Sequence, residues 1–230
     1  MRSATSFFNP TLYRKTMARF WPLWALYGVM WLFLFPLNLL NAYFDYLDRN
    51  LLPEYLDPVT YAQATLLDRF QDLPIFLESG VFIALIAGIL CAMAVFGYLY
   101  NNRSAGMMHT LPMRRETLFT TQYLAGLSFL LLPHLVVALL LAAMALVLLP
   151  TASWGDALQP VLLWLAVQSG TCLFFFSFAA FCAMFTGHIL ALPAFYGILN
   201  ALVSVIYYLI TALMERFFFG FPGNIGSNRL

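Results

Sequence analysis

Few side chains in this sequence have both the chemistry and the spacing of a reactive site. The three cysteines lie within apolar runs, without CxxC or Cys/His ligand spacing: Cys91, Cys172 and Cys182. This pattern argues against a metal site or a disulfide and favours buried, reduced thiols. The sequence also has no GxxxxGK[ST] loop for nucleotide phosphates and no HExxH zinc motif. We therefore expect no metal, no cofactor and no catalytic residue in this chain.

A second group consists of polar residues inside the apolar runs. Pro133 is expected to kink its helix, and His134 lies beside it, while Gln168 and Asn200 occur in later runs. Polar groups inside long apolar helices usually face the interior of a helix bundle. A substrate or proton path lined by His134, Gln168 and Asn200 is one interpretation, and hydrogen-bonded packing is the favoured one.

One weak pattern would make the chain an enzyme. Gly126-Leu127-Ser128 is faintly similar to the nucleophile segment of intramembrane serine proteases, and His188 could then act as the base. Phe129 stands where a glycine would be expected. An intramembrane enzyme is therefore the least favoured alternative.

Composition shows what kind of element must hold these residues. Hydrophobic residues make up 63% of the chain and charged residues 9%, whereas soluble domains have about 25% charged residues. Runs without charge, each long enough for spans of about 20 residues, predict five membrane spans: residues 20–41, 79–101, 118–149, 158–185 and 189–213. The runs do not alternate apolar and polar residues as barrel strands do. We therefore predict an all-α, polytopic transmembrane helix bundle over residues 1–230, as a single domain.

The basic residues predict the orientation of the spans. Residues 1–19 hold four basic residues and no acid, and residues 102–117 hold three basic residues and one acid. Residues 42–78 are acidic. The positive-inside rule then places the N-terminus and residues 102–117 in the cytoplasm and the 42–78 loop outside. Within that loop, Asp57-Pro58 is expected to open a helix running to about Phe70, either an external cap or a helix resting on the headgroups.

The N-terminal segment predicts a helix in the membrane interface. Asn9 suits a helix N-cap and Pro10 the first helical position. At helical periodicity the basic residues fall on one arc and aromatic residues on the opposite arc: Arg14, Lys15 and Arg19 against Tyr13, Met17, Phe20, Trp21 and Trp24. Such a pattern is typical of an amphipathic helix in the headgroup plane. A basic flank that only orients the first span is the alternative.

Two further patterns concern packing. Ala84, Gly88 and Ala92 recur every four residues in the second span, which favours the close approach of another helix. Six phenylalanines crowd one half of the fourth span: Phe174, Phe175, Phe176, Phe178, Phe181 and Phe185. Lipid-facing or packing aromatic residues are favoured over an aromatic substrate path.

The segment between the second and third spans carries a family resemblance. Residues 97–126 read GYLYNNRSAGMMHTLPMRRETLFTTQYLAG. The identity and spacing of eight of these residues resemble a sequence motif of bacterial ABC transporter permeases of the type-2 exporter class. The eight residues are Arg103, Ser104, His109, Leu111, Pro112, Arg115, Leu118 and Phe119. Members of that family also begin with an amphipathic helix. The family usually has at least six spans, and the tail after Phe217 does not look like a natural terminus, so we expect a sixth span or a fragment.

The resemblance implies a role for this segment and a set of partners. In the family, the loop after the second span forms a coupling helix that docks on an ATPase subunit. The corresponding residues would be Arg103, Met107, Met108, His109, Leu111, Pro112, Arg114, Arg115 and Glu116. The chain would then be a permease subunit in the bacterial inner membrane, paired with a second permease chain in a homo- or heterodimer. ATP hydrolysis would take place on a separate ABC-type ATPase chain.

Residues alone leave other interpretations open. The 102–117 segment has the composition of an ordinary positive-inside loop, and a structural or assembly membrane protein without transport activity is the main alternative. The absence of charge from the predicted spans argues against an ion-driven transporter, which usually needs an intramembrane acid or base. A net charge of +1 with Lys15 as the only lysine indicates no nucleic-acid partner.

Overall fold

The computed structural model describes residues 7–47, 57–101, 106 and 114–217 of the chain. Within these ranges every regular element is helical, and no strand occurs. Five segments are long and apolar enough to cross a membrane: Trp21–Asp45, Pro58–Tyr100, Arg115–Leu148, Thr151–Phe185 and Ala191–Phe217. The prediction of an all-α polytopic bundle is confirmed.

Helix α1 (Pro10–Arg19) is capped at its start and stopped at its end. The Asn9 side chain accepts hydrogen bonds from the backbone N–H groups of Thr11 and Leu12, at 3.0 and 3.1 Å, and so satisfies two donors that lack a partner in the first turn. Phe20 leaves helical geometry, with φ −105° and ψ 24°. The chain therefore turns at Phe20, and the first span begins at Trp21.

The first span contains an irregular turn. Helix α2 (Trp21–Leu32) passes through a π-helical turn (Phe33–Leu37) into α3 (Asn38–Leu47). Pro36 lies inside that turn and has no backbone N–H to donate. A local change to π-helical bonding accommodates a proline without ending a membrane helix.

Helix α4 (Pro58–Gln71) lies at the end of the bundle opposite α1, where Gln63 donates to the Leu148 carbonyl at 3.1 Å. Asp57 caps it by accepting from the Thr60 N–H at 3.1 Å. Its Ala62, Leu66 and Phe70 side chains are buried, and α4 contacts α3 and the helix Trp154–Phe185. Val59, which lies at helical spacing from these three residues, is 48% exposed.

The remaining elements are long helices. A 3-10 turn (Leu73–Phe76) leads into α5 (Leu77–Phe96) and a second 3-10 turn (Gly97–Tyr100). Helix α6 (Arg115–Leu148) runs unbroken through Pro133. A 3-10 turn (Thr151–Ser153) precedes α7 (Trp154–Phe185), and α8 (Ala191–Phe217) follows a short loop.

Helices α2, α5, α6 and α7 form the core of the bundle. The largest fully buried side chains are aromatic and come from several elements: Trp31, Trp164, Tyr196, Phe35, Phe70, Phe96, Phe129 and Phe176. Helix α8 packs differently, because Leu192 and Tyr196 are its only buried residues with a described side chain. Most of the other described side chains of α8 are exposed and apolar, as a lipid-facing surface requires.

Candidate functional site

Helix α1 is bound to the first half of α6 by side-chain hydrogen bonds. Three of them are Asn9 N to Thr121 Oγ1 at 3.0 Å, Tyr13 Oη to Ser128 Oγ at 2.9 Å, and Thr16 Oγ1 to Gln122 Oε1 at 3.2 Å. Thr120 also donates to the carbonyl of Phe7. Thr16, Thr121 and Gln122 are buried, so these polar groups need the partners that the two helices give each other. The N-terminal helix is therefore an integral part of the bundle.

The basic residues of α1 lie on its exposed side. Arg14, Lys15 and Arg19 are exposed, whereas Tyr13 and Met17 are half-buried. The Arg19 guanidinium lies 5.3 Å from the centre of the Phe20 ring, a distance at which a cation and an aromatic face attract each other. A cationic face opposite a packed face is the arrangement of an interfacial helix.

The two tryptophans assigned to the interfacial helix lie on the first span instead. Trp21 and Trp24 belong to α2, because the break at Phe20 ends α1 before them. Trp21 is 59% exposed. Trp24 Nε1 donates to the Met17 carbonyl at 3.3 Å across the break. Their positions at the start of a span are those of an aromatic belt.

The segment with the family resemblance is only partly described. Arg103, Met107, Met108, His109, Leu111 and Pro112 lie outside the described residues. Arg114 is extended and immediately precedes α6, and Arg115 and Glu116 are exposed in its first turn. A carboxylate in the first turn, as at Glu116, is favoured by the helix dipole.

A polar cluster lies inside the bundle and joins three helices. Tyr27 Oη of α2 is hydrogen-bonded to His134 Nε2 of α6 at 2.8 Å and lies 3.4 Å from Cys172 Sγ of α7. Ser169 Oγ lies 3.4 Å from His134 Nδ1. His134 and Cys172 are fully buried. Both ring nitrogens of His134 therefore have a partner within the protein, as a buried imidazole needs.

Aromatic rings enclose this polar cluster. The His134 ring centre lies 5.5 Å from that of Tyr27, 5.8 Å from that of Trp31 and 5.6 Å from that of Trp164. Both indole N–H groups, of Trp31 and Trp164, are buried without a hydrogen-bond partner. The surroundings are aromatic and closely packed, which suits a structural junction better than an aqueous path.

The other two residues considered for a path also have protein partners. Gln168 is 1% exposed, and its amide donates to the Gly80 carbonyl of α5 at 3.0 Å. Asn200 donates to the Tyr196 carbonyl, one turn earlier on its own helix, at 2.8 Å. The geometry favours hydrogen-bonded packing at His134, Gln168 and Asn200.

The small residues of α5 lie where this helix packs closely against α7. Ala84, Gly88 and Ala92 are all buried. A Cβ atom added to Gly88 would lie 3.1 Å from both the carbonyl carbon of Phe175 and the nitrogen of Phe176. The backbones of α5 and α7 therefore approach each other at Gly88 as small-residue interfaces allow. Of the α7 phenylalanines, Phe176 is fully buried in this interface, while Phe174, Phe181 and Phe185 are exposed.

The serine and histidine of the protease-like pattern engage other groups. Ser128 Oγ donates to the Leu124 carbonyl at 2.7 Å and is hydrogen-bonded to Tyr13. His188 Nδ1 accepts from the Leu190 N–H at 3.1 Å, in the loop before α8. Ser128 and His188 thus do not form the nucleophile–base hydrogen bond that such chemistry uses.

Sequence reasoning missed most members of the internal cluster. It singled out His134, but not Tyr27, Ser169, Trp31 or Trp164. The one available signal was the Tyr27/Trp31 pair, which at i and i+4 lies on one helix face. The residues around Tyr27 and Trp31 do not indicate which helix this face would contact.

Comparisons with family models, curated proteins and solved structures found no match to this chain. Among the described residues, no group of His, Cys, Asp or Glu side chains is arranged to hold a metal ion. The functional interpretation therefore depends on the physical arrangement of the helices and on the resemblance within residues 97–126.

Proposed function

We propose that this chain is the membrane-spanning permease subunit of an ATP-driven transporter of the exporter class, located in a bacterial cell membrane with its N-terminus in the cytoplasm. Two permease chains would form the translocation path. A separate ATPase subunit would dock on residues 103–116, here called the coupling segment. The five apolar helices and the resemblance of residues 97–126 support this proposal.

The observation that carries the proposal is the position of α6. This helix begins at Arg115, inside the coupling segment, and extends for 34 residues, about 51 Å at 1.5 Å per residue. Along its length it contacts α1, α2, α5 and α7. A displacement applied to the coupling segment would therefore reach four other helices through one rigid element, as a transmitted ATPase stroke requires.

The other end of the coupling segment is also held by the bundle. Tyr100, just before it, makes hydrogen bonds through its hydroxyl to the Ala183 carbonyl at 3.0 Å and to Thr186 Oγ1 at 2.8 Å. Both groups are at the end of α7. The coupling segment thus has the hydrogen-bonded Tyr100 on one side and the start of α6 on the other. A partner that binds the segment would act on the bundle at both positions.

Removal of the docking side chains tests the proposal. The affinity-purified chain should carry an ATPase subunit and hydrolyse ATP. Replacement of Leu111, Arg114 and Arg115 by alanine should abolish both properties and leave membrane insertion unchanged, because these residues would contact the partner. The measurements are ATP hydrolysis by the purified complex and the amount of chain in the membrane fraction.

A matched control uses three residues at the opposite end of the bundle. Asp68, Arg69 and Gln71 of α4 are exposed, and their replacement by alanine should leave ATP hydrolysis unchanged. Normal ATP hydrolysis in the coupling-segment variant would contradict the docking site. A chain isolated from its native membrane without ATPase activity would contradict the transporter assignment.

A further inference from the structure

A pocket of about 520 Å³ opens between α1 and the end of α5. Two cations line it, Lys15 and Arg19, which lie one helical turn apart on α1. Arg14, on the same helix, does not line it. No carboxylate is among the described residues that line the pocket. It therefore offers two positive charges to an anion and no negative charge to repel one.

Polar and apolar groups complete the pocket. Gln122 of α6, 3% exposed and hydrogen-bonded to Thr16, contributes an amide group. Phe20 and Met93 contribute apolar surface. A site with cations on one wall and apolar groups on another suits an amphiphile better than a small hydrophilic ion.

An apolar groove follows the pocket along α5 and α6. It has a volume of about 410 Å³ and is flanked by α2 and α5, with Phe129 and Leu130 contributed by α6. The first residue of α2 that lines it is Leu23, one turn beyond Phe20 of the cationic pocket. On α5 the groove reaches Cys91, two residues from Met93 of the pocket. The two spaces share no lining residue, but they follow each other along α5 and together make a path from a cationic end to an apolar end.

The dimensions of this path match one membrane leaflet. Ile83, at the far end of the groove, and Met93, in the cationic pocket, are ten residues apart on α5, which is about 15 Å along the helix. Half of a hydrocarbon core of about 30 Å is the same length. The apolar end lies within a span and the cationic end lies at the interfacial helix, which is the direction in which a phospholipid sits.

We propose that an anionic phospholipid binds here, with its phosphate between Lys15 and Arg19 and one acyl chain in the groove between α2 and α5. Anionic lipids are concentrated in the cytoplasmic leaflet, where basic residues attract them. The proposal depends on the chain spanning a membrane with its N-terminus in the cytoplasm, and not on the transporter assignment. The bound lipid would fill the space that separates α2 from α5.

Lipid titration of the detergent-solubilised protein tests the headgroup site. Native mass spectrometry would measure binding of phosphatidylglycerol, with phosphatidylcholine as the zwitterionic comparison. Arg19→Gln should weaken phosphatidylglycerol binding about fivefold, and the Lys15→Gln/Arg19→Gln pair about 25-fold, since each basic residue near an anionic lipid contributes about 1 kcal/mol. Arg14→Gln removes the same charge from the same helix outside the pocket and should leave binding unchanged.

A second pair of variants tests the groove. Ile86 lines it and is 41% exposed, so Ile86→Trp would occupy the groove from a position that tolerates a larger side chain. Val81 lies outside the groove and is 44% exposed, which makes Val81→Trp a matched control. Ile86→Trp should reduce phosphatidylglycerol binding at an unchanged melting temperature, and Val81→Trp should not.

Several results would overturn the proposal. Equal losses for Arg14→Gln and Arg19→Gln would mean that general surface charge attracts the lipid. If the Ile86→Trp variant binds phosphatidylglycerol as well as the wild type does, the acyl chain does not lie in the groove. Displacement of phosphatidylglycerol by inorganic phosphate would indicate a soluble anion as the ligand. Loss of bound lipid when the chain dimerises would mean that a second copy covers the groove.

Discussion

The close approach of α5 and α7 at Gly88 leads to a prediction about stability. A Cβ atom there would lie 3.1 Å from two backbone atoms of α7, whereas relaxed contacts between carbon atoms lie at about 3.5–4.0 Å. Because both neighbouring atoms belong to the backbone of a helix, they cannot move away by rotation as a side chain can. In Gly88→Ala the two helices must separate by roughly 0.5 Å, and overpacking of this kind costs about 1–3 kcal/mol.

A second glycine provides the control. Gly170 is exposed on α7, and a Cβ atom added to it would meet nothing within 4 Å. Both alanine variants gain about 0.5–1 kcal/mol of helix stability. That gain cancels in the comparison, so Gly88→Ala should be less stable than Gly170→Ala by about 1–3 kcal/mol.

The free energy of unfolding can be measured in mixed micelles with increasing SDS, using the fluorescence of the five tryptophans. Gly88→Leu should lose more stability than Gly88→Ala, whereas Gly170→Leu should unfold at an SDS concentration no lower than that of the wild type. If the two alanine variants have equal stability, the helices do not meet at Gly88 as described, and the reasoning fails.

Two further predictions concern the interior of the bundle. Tyr27→Phe removes the hydrogen bond to His134 and should lower the free energy of unfolding by about 1 kcal/mol, the size of hydrogen bonds measured within membranes. Tyr207→Phe, at a site 66% exposed, should have no effect, and equal stability of the two variants would exclude a contribution from the Tyr27 bond. A maleimide should label Cys91, Cys172 and Cys182 only after denaturation, since all three are buried. A cysteine introduced at the exposed Asp68 (Asp68→Cys) should be labelled without denaturation. Rapid labelling of the native cysteines in the folded protein would contradict the packing.

The helical architecture could be predicted from the sequence because its signals are local. Charge-free runs indicate membrane helices wherever they occur, and a cap such as Asn9-Pro10 acts within one turn. The Ala84, Gly88 and Ala92 spacing also marks one helix face without reference to any other. Each of these features is decided by neighbours within a few residues along the chain.

The internal contacts could not be predicted in the same way. Tyr27 and His134 are 107 residues apart, and only the packing of α2 on α6 brings them together. The aromatic pattern continues past Phe20 and so groups Trp21 and Trp24 with the interfacial helix, although both lie on α2. The π-helical turn at Pro36 was also missed, since a proline in a membrane helix can be accommodated in several ways.

The length of α6 has a consequence for the surrounding bilayer. At about 51 Å the helix exceeds a hydrocarbon core of about 30 Å by roughly 20 Å. The excess must be taken up by tilt, by local thickening or by protrusion. The hydroxyl and amide groups of Thr120, Thr121 and Gln122, which α1 engages, favour protrusion at the end that begins with Arg115. Hydrophobic mismatch at this end would act on the hydrogen bonds that join α1 to α6. The stability of the contact between α1 and α6 should therefore depend on the thickness of the membrane.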